Sequence, residues 1–442
     1  MNASLIDTRA HFDALRDGWD SLYRDDPAAH VFLSHRWLSD LHTRRPGVCT
    51  LVWSAGGPEA ARRGALDAVL PLRPVLALDR ERRRFRQEML LAGSHWADRT
   101  GALCRPGHER EALPALGRAL AALPWERLGL DGLAIDGIGR TLLLGAFDTE
   151  AYRVEERVPR DNGGATRLDR APRVRLPDDF DTWLGHLGAG TRQRVRRFRR
   201  RLANDPRAAI RDSVASTREH DPEAFRRLWL ARWAEAKGEE ASTKADKYVR
   251  ILGDGLRAGH LRLTSLDVDG SPVALHALYD DPVTATVSFF AGARDERHEA
   301  LPTGLLLHAD AIERAIRAER RTYDLLRGDE PYKYRLGATD AAPLLSLRVR
   351  RLPPRVEDVL LEPRWRDEAL ATIDRVSAGA RDSTVEALYS QLLESWPGER
   401  HTLERLRARR AARSRDAPAA PGSGRAVRLT STSSPSSPPP PR

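Results

Sequence analysis

Residues 221–326 carry an order of elements that few folds accommodate: two helices, three short strands joined by tight turns, one more helix and a last strand. The strand-like run 261–267 leads into Asp269-Gly270, a strong hairpin signal. Residues 272–279 return to a turn at Asp280-Asp281-Pro282, and 283–291 complete an antiparallel meander. Helices are predicted before it, over about 221–237 and 246–258, and after it, over about 303–319; a strand follows at 322–326. A strand that feeds a helix at its C-terminal edge is a place where phosphate binds. Here the helix opens on Leu301-Pro302-Thr303-Gly304-Leu305. Pro302 suits a helix entry, Thr303 can cap, and Gly304 lets a ligand approach the backbone. An ordinary capped helix explains the same residues.

The rest of the chain extends this α/β pattern. Upstream, helices are predicted over 9–24 and 34–44, the second capped by Ser34, with strands at 48–53, 66–78 and 89–92. A helix at 109–123, a strand at 127–130, a further helix and a strand at 151–158 complete that half. Pro159-Arg160-Asp161-Asn162-Gly163-Gly164 reads as a polar linker. Beyond it, 178–204 is predicted helical and 208–214 extended. Residues 354–415 read as two or three helices, with Trp365, Ala369, Ile373 and Val376 at helical spacing. Residues 416–442, rich in Ser and Pro, are too poor in apolar side chains to offset their ordering entropy and are expected to be disordered. The expected organisation is an α/β domain over 1–165, a second over 170–352, a helical extension over 353–415 and the tail.

Composition excludes several classes of function. The best apolar run, 66–78, is broken by Pro71, Arg73 and Pro74, so no membrane span is expected. The first thirteen residues lack the apolar stretch of a signal peptide, which makes the cytoplasm the expected location. Cys49 and Cys104 are the only cysteines, too few for a disulfide framework or a Cys-rich metal site, and no metal is expected. The net charge of +10 is mostly a property of the tail, because residues 405–442 hold nine arginines against one acid. The near-neutral body argues against a general nucleic-acid binder.

Chemistry concentrates at Tyr323-Asp324-Leu325-Leu326-Arg327-Gly328-Asp329-Glu330-Pro331-Tyr332-Lys333-Tyr334. Lys333 is one of four lysines among 73 basic residues, a hint that a compact ammonium is needed there. Asp329, Glu330, Tyr332 and Tyr334 surround it with proton donors and acceptors. Plainer readings stand beside this one. Asp329 and Lys333, four apart, suit a helical ion pair worth about 0.3–0.5 kcal/mol. Tyr332 and Tyr334 suit packing, Asp324 suits bracing of the loop, and His276, mid-strand, suits either a base or a core histidine. Seven arginines fall within 192–201, while Val195, Phe198 and Leu202 form an apolar stripe. That helix is either a solvated amphipathic face or an attractor for a phosphorylated ligand. Trp229 and Trp233 share a helix face, and Lys237, Lys244 and Lys247 follow them.

The order of elements resembles the GNAT acetyltransferase core, and the wording is similar to the CelD-like acyltransferases, which carry two GNAT-type domains in tandem as Fem peptidyltransferases do. The matching residues are Thr191-Arg192-Gln193-Arg194-Val195-Arg196-Arg197, Trp229 and Trp233, 266–272 with Ala274, Phe289-Phe290-Ala291-Gly292, Pro302-Thr303-Gly304 and 323–333. The N-terminal half matches only at Phe32, Trp37 and 91–98. The resemblance implies no resident cofactor and an acyl-CoA, acetyl-CoA first among them, as cosubstrate. Its pyrophosphate would lie at Pro302, Thr303, Gly304 and Leu305, and its carbonyl on backbone N–H groups of 287–291, including Phe290 and Ala291. Tyr332 or Tyr334 would protonate the leaving thiolate, Asp329 or Glu330 would act as base, and Lys333 would hold a phosphate or the oxyanion. Trp233, Lys237, Asp324 and Arg327 are expected on the acceptor side, and the N-terminal domain is expected to be a degenerate partner. The acceptor implied is an amine or hydroxyl on a small molecule or glycan, such as a polysaccharide precursor. The chain departs from ordinary GNAT enzymes in offering the single Gly304 where they carry a glycine-richer loop. Two alternatives follow: an aminoacyl-tRNA-dependent Fem-like transferase, the one reading that needs nucleic acid, and a non-catalytic module binding an anionic polymer.

Overall fold

The computed structural model describes residues 3–408 apart from 45–46, 95, 299–300, 341–342, 353–359, 378–381, 402 and 406. The expected tail at 416–442 lies outside the described residues.

The N-terminal half builds a sheet from β1 (Ser4–Ile6), β2 (Cys49–Trp53), β3 (Ala68–Asp79), β4 (Arg84–Leu91), β5 (Leu103–Cys104), β6 (Arg127–Leu133) and β7 (Tyr152–Glu156). Its helices are α1 (Arg9–Ala14), α2 (Arg16–Asp25), α3 (His35–Arg44), α4 (Pro58–Arg62), α5 (Glu109–Ala122) and α6 (Gly137–Leu144). The helix predicted over 9–24 is divided at Leu15, which ends α1 and precedes α2. Ser34 caps α3 as predicted, its hydroxyl accepting the Trp37 N–H at 3.3 Å. The polar linker is a small hairpin, β8 (Arg160–Asp161) with β9 (Thr166–Arg167), turning through Gly163 and Gly164 at positive φ.

The C-terminal half opens with β10 (Arg173–Arg175), α7 (Phe180–His186), α8 (Ala189–Ala203), β11 (Ala208–Asp212), α9 (His220–Lys237) and α10 (Glu240–Ala258). The meander is β12 (Leu261–Val268), β13 (Ser271–Asp281) and β14 (Thr286–Arg294), followed by α11 (Thr303–Arg317) and β15 (Thr322–Asp324). The second turn sits later than predicted, because Asp280 and Asp281 still pair with β14. A short helix α12 (Pro331–Arg335), β16 (Leu345–Arg351) and the helices α13 (Arg366–Ser377) and α14 (Asp382–Ser395) complete the chain.

Each half repeats one plan. An antiparallel meander ends in a strand whose crossover helix returns to a parallel neighbour: β4 to β6 through α5, and β14 to β15 through α11. The C-terminal half then gives one strand to the N-terminal sheet. β10 pairs antiparallel with β15, while β16 inserts between β6 and β7, antiparallel to both. The boundary expected at 352 therefore needs correcting, since 345–351 belongs to the first sheet. The cause is apolar: Leu347 and Val349 are fully buried with Leu128, Leu130 and Trp125, and without them two sheet edges would stand open.

The largest apolar core also spans both halves, joining Phe12, Trp19, Phe32 and Trp37 to Phe225, Trp229, Leu263 and Tyr279. Tyr23 donates across the same boundary to Asp281 at 2.5 Å. The C-terminal helices pack on β4, where Phe85 joins Trp365, Ala369, Ile373, Val385 and Leu388. Gln87 fixes that contact by accepting the Trp365 indole N–H at 2.8 Å. The transfer of β16 has a direct consequence. A protease site inserted between Gly163 and Gly164 should, once cut, leave two fragments that co-elute on gel filtration, whereas fragments eluting separately would contradict the transfer.

Candidate active site

β14 and β15 pair over three positions only, Thr286 with Thr322, Val287 with Tyr323 and Ser288 with Asp324. β14 then continues paired with β13 only, and a cavity of about 830 Å³ opens beside its other edge. Its buried end is formed by His276, Phe289, Gly292, His308 and Tyr332, and its exposed end by Gly190, Thr191, Arg194, Gly304 and Arg335. A bulge in β14 sets which side chains face it. Ala277 lies opposite Ala291 and Leu278 opposite Phe289, leaving Phe290 as the extra residue. The bulge puts Phe289 and Gly292 on the cavity side and turns Phe290 toward Tyr248 and Tyr279. The side chains of Phe290 and Ala291 therefore do not line the cavity, and only their backbone is available to a ligand there.

Two long helices start at the exposed end. Neither α8 nor α11 has a side-chain cap or an acidic residue in its first turn. Their opening N–H groups lack intrahelical partners, and both dipoles favour negative charge. Pro302, not Thr303, occupies the N-cap of α11, and Thr303 is buried as the first helical residue. Pro302, Thr303, Gly304 and Leu305 all line the cavity. A Cβ at Gly304 would meet nothing within 4 Å, so the space above that turn is open. Arg194 and Arg335 are exposed there with no carboxylate partner among the described residues. Arg232 and Arg294 share Glu296, at 2.7 and 3.4 Å. The arginine-rich helix thus divides its labour: Arg194 faces the cavity, while Arg199 pairs with Glu313 and Arg192 bonds the carbonyls of Gly185 and Leu187.

The corresponding helix of the N-terminal half is built differently. α5 carries Glu109 and Glu111 in its first turn, and Glu109 accepts the Gly107 N–H at 2.8 Å. Carboxylates already occupy that helix start, which leaves it unsuited to a phosphate.

Of the four residues expected to be catalytic, Tyr332 alone lines the cavity. It stacks on His308 with ring centres 5.6 Å apart, and burial pushes its phenol above the ordinary value, with Glu330 and Asp98 adding to the rise. Lys333 is almost wholly buried beneath the loop. Its ammonium donates to the carbonyls of Leu326 (3.3 Å), Arg327 (2.6 Å) and Gly328 (3.0 Å) and pairs with Glu330 at 3.0 Å. This fixes three consecutive carbonyls of a turn in which Leu326 has φ 55° and Gly328 φ 109°. Asp329 faces the other way and accepts the Arg167 N–H at 2.7 Å. Tyr334 is exposed and donates to Asp340 at 2.6 Å, and burial and that carboxylate push its phenol up to about 12. The cluster read as one catalytic set is split because α12 is a single turn that points successive side chains in different directions.

The residues expected to bind the acceptor are also divided. Trp233 lines the cavity. Lys237 pairs with Asp161 at 2.6 Å, with its ammonium 5.7 Å from the Trp233 ring centre. Arg327 faces Asp98 of the N-terminal half at 3.4 Å. Asp324 is buried and cannot meet an acceptor directly. It is held by Arg99 at 2.6 Å and Arg173 at 3.1 Å, and it accepts the Leu326 N–H at 2.9 Å. Burial pushes its carboxyl up to about 6, against the pull of Arg173 and the Leu326 amide. Two functional neighbours escaped the sequence. His308 had a signal, since it lies four residues after Gly304 on the same helix face. Arg99 had none, because its partner is more than two hundred residues away.

Lys333→Met should cost about 1–3 kcal/mol of stability by leaving buried carbonyls unpaired, measured by urea denaturation. Wild-type stability in that variant would remove the bracing role.

Residues 189–334 match the family model described as an acetyltransferase (GNAT) domain. No curated protein matches the chain. Among solved structures, a conserved protein of unknown function from Bacteroides thetaiotaomicron VPI-5482 is 12% identical, over 79% of this chain and 100% of that chain, with a TM-score of 0.48. FemX is 10% identical over 75% of this chain and 95% of its own, with a TM-score of 0.47. A tandem GNAT protein from the clavulanic acid biosynthesis pathway is 13% identical over 80% and 99%, with a TM-score of 0.42. No helix among the described residues is long and apolar enough to cross a membrane. Residues 189–334 thus match a GNAT acetyltransferase domain, set in a mixed α/β fold whose two halves repeat one plan and which carries a helical C-terminal region.

Proposed function

We propose that the chain transfers an acyl group from an acyl-CoA to an amine or hydroxyl acceptor, with acetyl-CoA the first donor to test. The observation that carries this reading is the cavity with two uncapped helix starts at its open end, two arginines there without a carboxylate partner among the described residues, and a half-buried phenol at its floor. Such an end suits the phosphates of CoA, and the open space at Gly304 suits their close approach to backbone. The unpaired edge of β14 suits the amides of the pantetheine arm.

The acceptor's lone pair attacks the thioester carbon, and β14 N–H groups are aimed at the oxyanion that forms. The carbon–sulfur bond then breaks, and the sulfur takes the Tyr332 proton. The acceptor's own proton passes to Glu330 or Asp98, the carboxylates whose charge acts on that phenol, or to solvent. The phenol regains a proton from the same source. A sugar or polysaccharide precursor as acceptor, with a cytoplasmic location, belongs to this proposal through the CelD-like resemblance.

Titration of acetyl-CoA by calorimetry should give a saturable signal that Gly304→Glu abolishes, because a carboxylate would enter the phosphate space. A folded wild-type protein that binds no acyl-CoA would overturn the reading. With an acceptor in hand, Tyr332→Phe should lower kcat about 10²-fold with little change in KM. Since burial raises the phenol above its ordinary 10.0, it keeps its proton through neutral pH, and any alkaline fall in kcat that depends on Tyr332 should lie above that value. A Tyr332-dependent fall near neutrality would contradict this role.

A further inference from the structure

His276 stands mid-β13, in register with Gly292 of β14, and its side chain is 4% exposed at the floor of the cavity. No hydrogen bond reaches either of its ring nitrogens among the described residues, and Nδ1 is closed off from solvent. Burial holds the ring neutral, its pKa lowered to about 3. A neutral imidazole carries one donor and one acceptor; Nδ1 is shut away unpaired, which is costly, and Nε2 is the nitrogen left open to the cavity. The neighbouring histidine is not in this position: His308, 4.4 Å away between ring centres, pairs its Nδ1 with the Tyr323 hydroxyl at 2.9 Å.

The setting of the ring also looks built. A Cβ on Gly292 would lie 3.1 Å from His276 Cδ2, so glycine is what gives the imidazole room against β14. Phe289 closes one side at 4.6 Å. His308 bridges to Tyr332, which puts His276 one ring away from the phenol at the reacting end. A methyl or methylene placed here would leave the open nitrogen, Nε2, unpaired. A hydroxyl, which both donates and accepts, answers either tautomer.

We propose that His276 reads the acyl group of the donor by hydrogen bonding to a hydroxyl on the acyl chain, so that the site favours hydroxyacyl thioesters over unsubstituted ones of the same length. This rests on the acyl-CoA reading of the cavity. The test is calorimetric titration of the full chain with free CoA, butyryl-CoA and β-hydroxybutyryl-CoA, for wild type, His276→Phe and His276→Gln. Free CoA reports in each variant whether the phosphate end of the site is intact, and thermal melting reports folding. Wild type should bind the hydroxylated ester about tenfold or more tighter than butyryl-CoA, because a site built to bond a hydroxyl rejects the analogue lacking it. His276→Phe should lose that preference, and His276→Gln, which keeps a donor and an acceptor, should retain part of it. Equal affinity of wild type for the two esters, or a preference surviving in His276→Phe, would overturn the proposal while leaving the donor site standing. Failure of wild type to bind CoA or either ester would overturn both.

Discussion

One buried ion pair connects everything described at the site. Arg99, from the N-terminal half, holds both carboxylate oxygens of Asp324, at 2.7 and 2.6 Å, where neither side chain meets solvent. Asp324 is the last residue of β15, so its carboxylate sits where the chain leaves the sheet to form the turn before Tyr332. From there it bonds the Leu326 amide, and Lys333 closes the turn from below. Without Arg99 that buried carboxylate would keep only Arg173 and the Leu326 amide, so the turn depends in part on the other half of the molecule. Leu326 holds its positive φ only because the surroundings over-determine it, whereas Gly328 adopts one freely.

The two halves share a plan but not a task. Both return a parallel strand through a crossover helix, yet α5 begins with glutamates and α11 with an uncapped Thr303-Gly304. A few charges thus distinguish the two helix starts. The N-terminal half receives β16, contributes Phe32 and Trp37 to a common core, and supplies Arg99 and Asp98 to the loop.

Much of this was legible in local sequence. Asp269-Gly270 fixed the hairpin, Ser34 its helix start, and Pro302 to Leu305 the turn that lines the cavity, because each works through neighbours in the chain. What sequence alone could not resolve was direction and distance. Residues 329–334 have the composition of a catalytic cluster, but a single helical turn sends Tyr332 to the cavity, Lys333 beneath the loop and Tyr334 toward Asp340, while Asp329, ahead of that helix, turns to the Arg167 amide. The bulge at Phe290 likewise exchanges which residues of 289–292 face the cavity. Strand 345–351 reads as the natural end of the second domain, and only the unfilled slot between β6 and β7 explains its transfer to the first.

The central claim is that the N-terminal half sets the conformation of the Tyr332 loop through Arg99. Hydrogen–deuterium exchange resolved over residues 325–336, in wild type and in Arg99→Gln, tests it most directly. The account predicts faster exchange in that segment of the variant, led by the Leu326 amide, with the meander strands unchanged. Exchange at the wild-type rate throughout the segment would contradict it.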